Sequence, residues 1–106
     1  MAEYTINLDA VFSSLGDATR RDILNRVSRR PLSIGALAEA HSRLTFAAVA
    51  KHVSVLEEAQ LVIKERNGRY QIISVNPKTM NQAAQLLKKY QAIWEARFTT
   101  LDNLLE

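Results

Sequence analysis

The chain has 106 residues, 47% of them hydrophobic, with 14 Lys and Arg against 11 Asp and Glu, a formal charge of +3 and an isoelectric point near 9.5. That length supports one modest core and not two, so burial between two copies of the chain is a natural supplement. The lack of cysteine excludes disulfides, thiol redox sensing and thiolate metal sites, and no apolar run approaches the roughly 20 residues of a membrane span. The N-terminus has neither the basic nor the apolar region of a signal peptide, so a cytoplasmic location with no membrane partner is expected.

Leu8, Val11, Phe12 and Leu15 recur at helical spacing, predicting a short first helix that ends near Gly16. Asp17 is placed to cap a second helix, whose buried stripe is Ile23, Leu24 and Val27. Pro31 forces that helix to stop, because the residue before a proline is pushed out of the helical region. Ser33 caps a third helix with Ile34, Leu37 and Ala38 toward the core and Glu39 toward water, and His41, Ser42 and Arg43 form a turn. From Thr45 a fourth helix buries Val49, Val53 and Leu56, which leaves Phe46, Ala47, Ala50, Lys51 and Ser54 nearer the exposed side.

Residues 61–66 and 69–75 are rich in β-branched side chains and are parted by Asn67-Gly68, a strong signal for a two-residue hairpin turn with Arg66 and Arg69 flanking its tip. Asn76-Pro77 closes the second strand. From about residue 78 to 105 there is no Gly or Pro. Over that stretch Met80, Ala83, Ala84, Leu87, Tyr90, Trp94, Phe98, Leu101 and Leu105 follow a helical period. A helix of that length is roughly 40 Å long, more than a small domain can cover. A second copy of the chain is the simplest partner, with the first helix alongside. Lining of a ligand pocket by Tyr90 and Trp94 is the other reading of the aromatics.

The order predicts a mainly α fold with a small β-hairpin: a winged helix-turn-helix of pattern ααααββα, dimerising through its first and last helices. It reads as one domain over 1–106, with the helix-turn-helix at about 33–58, the wing at about 61–75 and the dimerisation helix at about 78–105. Charge agrees with that layout. Residues 16–70 carry ten Lys and Arg against six Asp and Glu, while the remainder is slightly acidic. Solvated helix faces are often basic too, so charge alone does not decide.

Helix-interior Ala and Thr allow close approach to base edges and thymine methyls, although Ala is also simply the best helix former. Lys51 can reach a guanine or a phosphate. The expected contacts to double-stranded DNA are Arg43, Thr45, Phe46, Lys51, His52, Arg66 and Arg69, with Arg20 or Arg21 as phosphate clamps unless they pair with Asp17 or Asp22. A hydrogen-bonded histidine at the helix edge is the other reading of His52, and exposed charge that discourages strand-edge pairing is the other reading of the wing arginines. The expected dimer contacts are Leu8, Phe12, Met80, Leu87, Tyr90, Trp94 and Leu101.

Three segments resemble the ArsR/SmtB-type winged-helix repressors. Residues 15–24, Leu-Gly-Asp-Ala-Thr-Arg-Arg-Asp-Ile-Leu, are similar to the family's opening L-x-D-P-T-R-x-x-I-L, with Ala18 where Pro is usual. Residues 49–62 are similar to V-S-K-H-L-x-x-L-x-x-A-G-L-V, and residues 66–69 to R-x-G-R. The resemblance runs from Leu8 to about Leu105 and implies a homodimer that reads a palindromic operator and represses transcription.

Two departures have physical content. Ala50 removes a hydroxyl expected to touch DNA, which Thr45 or Ser54 would have to replace. Gln60 stands where Gly favours a left-handed helix cap, a cost of about 1 kcal/mol if that conformation is kept.

The cysteine pair by which many members sense metals, in a pattern like L-C-V-C-D-L, is replaced by Leu32-Ser33-Ile34-Gly35-Ala36-Leu37. Histidine occurs only at His41 and His52, both in the reading head. No metal or cofactor is therefore expected, while a small-molecule effector is left open by the sequence. An enzyme is not expected either. The chain has no nucleophile elbow or glycine-rich phosphate loop, and Glu57 and Glu58 diverge by about 100° on a helix, which suits solvation and not catalysis. The rival is a winged-helix protein–protein adaptor that does not bind DNA.

Overall fold

The computed structural model describes residues 5–105, apart from the side chains of residues 100–102. Its elements run α1 (Leu8–Ser14), α2 (Ala18–Arg29), β1 (Leu32–Ser33), α3 (Ile34–Ala40), α4 (Phe46–Glu58), β2 (Val62–Asn67), β3 (Tyr70–Val75) and α5 (Pro77–Leu105). Four helices start on a side-chain cap of the expected chemistry. Asn7, Asp17, Ser33 and Thr45 each accept from a backbone N–H three residues on, at 3.0 to 3.1 Å, which satisfies one of the orphan donors of a first helical turn.

The core gathers one stripe from each element. Val11, Ile23, Leu37, Val49, Val53, Leu56, Leu61 and Ile73 are fully buried, and Leu24, Val27, Ile34, Ala59 and Val62 nearly so. The spacing of Val49, Val53 and Leu56 turns α4 so that one flank meets α2 and α3 while the opposite flank, with Lys51 and Ser54, stays in water. Ala50, expected nearer the exposed side, is half-buried and packs against the core.

The sheet differs from a lone hairpin. It has three strands in the order β1-β3-β2, because Leu32 and Ser33 pair antiparallel with Ile73 and Ile72. Two residues are too few to carry an alternating pattern, so β1 exists only through its partner. The wing turn is also displaced from the expected Asn67-Gly68. Asn67 pairs with Tyr70 and Arg66 with Gln71, so the two loop residues are Gly68 and Arg69.

Only Gly68 of the turn has positive φ, at +62°. That is the arrangement of a type II′ turn, with Gly first, and not of a type I′ turn. The physical reason lies in the cross-strand pairs. A turn at Asn67-Gly68 would set Arg66 directly opposite Arg69, a repulsive apposition. The observed register slips by two, keeps Val62 and Ile73 on the inner face and sends Arg69 to the tip.

Beyond α4 the chain keeps the left-handed cap despite Gln60. Gln60 has φ +64°, its N–H donates to Glu57 O at 2.9 Å, and the Leu61 N–H donates to Leu56 O at 3.0 Å. These are the two bonds of a Schellman motif, and both leucines are buried in the core. Gln60→Gly is accordingly expected to stabilise the protein by about 1 kcal/mol, raising Tm by about 4 °C in a thermal melt. An unchanged or lower Tm would mean that Gln60 relieves its strain in some other way.

α5 leaves the rest of the molecule. Thr79 and Ala83 are buried and Met80 packs on the core, but from Leu87 onward every described side chain is exposed. The radius of gyration is 17.6 Å, against about 13 Å for a compact chain of this length. Among the described residues no helix is long and apolar enough to cross a membrane.

Candidate nucleic-acid interface

One edge of the molecule collects the N-terminus of α4, the start of α3 and the wing. A groove of about 400 Å³ runs between them, lined by Ser33, Ile34, Gly35, Phe46, Arg66, Arg69, Tyr70 and Gln71. Phe46 is 59% exposed at the head of α4. Arg43 is exposed in the turn before α4, and Lys51 is exposed at its middle with no described residue paired to it. Arg66 and Arg69 are exposed on the wing, where Arg66 Nε donates to Gly68 O at 3.2 Å and so holds its stem along the turn.

The hydroxyls near Ala50 divide by what they have left to give. Thr45 Oγ1 accepts from Ala48 N, so its proton stays available to an outside acceptor. Ser54 Oγ donates to Ala50 O at 3.1 Å and has spent its proton inside the helix. Of the two neighbours expected to replace the missing hydroxyl, Thr45 is the one equipped to donate.

The expected clamps, Arg20 and Arg21, do other work. Arg20 Nε donates to Ser14 O at 2.7 Å, Arg20 Nη2 reaches Ser13 O at 3.5 Å, and Arg21 Nη1 donates to Leu15 O at 2.8 Å. Both guanidinium groups thus satisfy carbonyls at the end of α1, where positive charge is also favoured by the helix dipole. Arg20 Nη1 lies 3.3 Å from Nδ1 of His52, which is half-buried on α4. Asp17 is held below the usual carboxylate range, first by the hydrogen bond from Arg20 N and then by the nearby Arg20 charge.

Asp22 pairs with Arg26 at 2.7 Å instead of with Arg20 or Arg21. Its Oδ2 also lies 2.9 Å from His41 Nε2, a close contact without the alignment of a hydrogen bond, which sets the helix-turn-helix corner against α2. Glu57, expected to be merely solvated, reaches Lys64 Nζ at 3.3 Å and ties α4 to the wing. Spacing along one strand or one helix carries no signal for such a pair.

A second surface is apolar. Leu87, Tyr90, Ile93, Trp94 and Phe98 on α5 are all more than half exposed, Leu8 and Phe12 on α1 are exposed, and Trp94 stacks on Phe98 with centroids 5.3 Å apart. Met80, expected on this face, is instead half-buried against the protomer's own core. Leu101 falls outside the described side chains. A groove beside α1 is lined by Thr5, Ile6, Leu8, Gln82, Gln85, Leu86 and Lys89, and neither Tyr90 nor Trp94 is part of it. Among the described residues no group of three or more His, Cys, Asp or Glu is gathered closely enough to hold a metal ion.

No family model matches the sequence. The chain is 42% identical over 76 residues to an uncharacterized HTH-type transcriptional regulator, YuzN, of Bacillus subtilis (strain 168), an alignment spanning 66% of this chain and 83% of that protein. It is 31% identical to the solved ArsR-like transcriptional regulator from Rhodococcus sp. RHA1, covering 93% of this chain and 92% of that one with a TM-score of 0.71. The chain belongs to the ArsR family of transcriptional regulators. The crystal structure of another ArsR family regulator, 28% identical, covers 90% of this chain and 97% of its own with a TM-score of 0.75. As an ArsR-family member the protein is a DNA-binding transcriptional regulator and not an enzyme, and its fold is the winged helix-turn-helix. In this ArsR protein the exposed cations are Arg43 before α4, Lys51 on α4, and Arg66 and Arg69 on the wing.

Proposed function

We propose that this chain is a homodimeric repressor that sets two copies of α4 into successive major grooves of a near-palindromic operator, about 34 to 36 Å apart. The observation that carries the reading is the division of the molecule into two unlike edges. The turn before α4, α4 itself and the wing expose Arg43, Lys51, Arg66 and Arg69, while α1 and the far half of α5 expose Leu8, Phe12, Leu87, Tyr90 and Trp94. A two-fold contact lets the apolar edge satisfy itself and leaves one basic surface free on each protomer.

On each half-site Lys51 reaches a guanine edge or a phosphate, Thr45 and His52 donate to phosphates, and Phe46 packs on a thymine methyl or sugar. Arg66 and Arg69 lie over the backbone or enter the minor groove. Repression follows from occupancy, since a dimer lying across promoter DNA excludes other proteins from it. The signal that releases it is not a metal held by a cysteine pair, because none of the 106 residues is cysteine.

Fluorescence anisotropy with labelled DNA from upstream of the protein's own gene, over a salt series and against scrambled competitor, tests this reading. The expected result is tight binding that survives competitor and falls steeply with salt. If even non-specific binding were missing at low salt, the adaptor reading would replace it.

A further inference from the structure

Arg20 sits where α1, α2 and α4 meet. One guanidinium spans the end of α1, through the Ser13 and Ser14 carbonyls, and the ring of His52 on α4. Its backbone is fixed as well, because Arg20 N donates to the Asp17 cap at 3.0 Å. A guanidinium carries N–H donors and no acceptor. The His52 nitrogen facing it therefore complements it only as a lone pair, which places the ring proton on Nε2.

We infer that Arg20 is a positioning residue for DNA reading. It holds His52 as the Nε2–H tautomer, so that α4 offers DNA an imidazole N–H donor, and it makes that donor depend on where α1 ends. This rests on the reading of α4 as the DNA-contacting helix. Because α1 carries Leu8 and Phe12 of the apolar edge, Arg20 also joins the helix of that edge to His52 through hydrogen bonds from one guanidinium. A movement of α1 by the length of a hydrogen bond changes what His52 presents.

A purely structural Arg20, capping α1, would be indifferent to the chemistry at residue 52. Three measurements on the full chain separate the two roles. Nitrogen-15 NMR of the histidine rings in the DNA-free protein, at a pH where His52 is neutral, is expected to show Nδ1 unprotonated and Nε2 protonated, and Arg20→Gln is expected to admit the other tautomer. Operator affinity is expected to fall about tenfold in His52→Leu, the effect of one lost donor per half-site. In His52→Gln, whose amide oxygen can accept from Arg20 while its NH2 points outward, affinity is expected to return to within about threefold of the parent.

Arg20→Gln is expected to lower affinity by a similar factor, and Arg20→Gln combined with His52→Leu to lower it no further. A proton on Nδ1 in the parent protein, equal weakening by Gln and Leu at position 52, or additive losses in the double variant would overturn the inference. Should Arg20→Gln not fold, the position-52 pair and the parent spectrum still decide. If the parent bound no DNA, the reading of α4 would fail, whereas the tautomer is read without DNA and stands or falls alone.

Discussion

Trp94→Ala is expected to raise the dimer dissociation constant by about a thousandfold, an effect that follows from counting the ring twice. Trp94 is 63% exposed in the single chain and stacks on Phe98, so a partner surface would remove most of its area from water. A buried aromatic anchor of this kind costs about 2 kcal/mol or more when truncated. A two-fold interface contains it once per protomer, so the loss is about 4 kcal/mol per dimer. Sedimentation at micromolar concentration should therefore turn a dimer into a monomer.

Operator binding should weaken with it, because a monomer holds one half-site and forfeits the second. Phe46→Ala is the matched control. Phe46 is nearly as exposed as Trp94 but stands beside the wing and away from the apolar stripe of α5 in sequence. Its removal should leave the mass unchanged while lowering DNA affinity. If Trp94→Ala kept the parent's mass, the apolar edge of α5 would have to be covered by something other than a second copy.

The parts of this molecule that could be read from sequence are those whose physics is local or periodic. Caps at Asp17, Ser33 and Thr45 announce themselves by residue type, and the buried stripe of α4 by spacing. The strain at Gln60 was legible because a left-handed cap makes one specific demand on the backbone, and that demand is met there at φ +64°. What escaped depends on partners distant along the chain. β1 is created by Ile72 and Ile73, some 40 residues later. The wing turn is chosen by cross-strand pairs, which outweigh the Asn-Gly preference. Arg20 and Arg21 carry a charge that suits DNA, yet the end of α1 lies close enough to take their donors first. A count of cations cannot see which of them already have acceptors.

Lys51→Ala follows from that last distinction. Of the ten Lys and Arg in residues 16–70, Arg20, Arg21, Arg26, Lys64 and Arg66 donate to carbonyls or carboxylates within the molecule. Lys51 is exposed at the middle of α4, on the flank opposite Val49, Val53 and Leu56, and no described residue pairs with it. Its replacement should therefore leave the fold intact. Ala is the better helix former, and circular dichroism should show an unchanged or slightly higher Tm.

The whole effect should fall on DNA. Losing about 1 kcal/mol per copy, twice in a dimer, weakens operator binding about 30-fold. The slope of log affinity against log salt should become shallower by about 2, one counterion for each lost lysine. A shallower slope with equal losses on operator and scrambled DNA would assign Lys51 to a phosphate, and a loss confined to the operator would assign it to a guanine edge. Equal affinity of variant and parent across the salt series would take α4 out of the groove altogether and leave the wing as the principal contact.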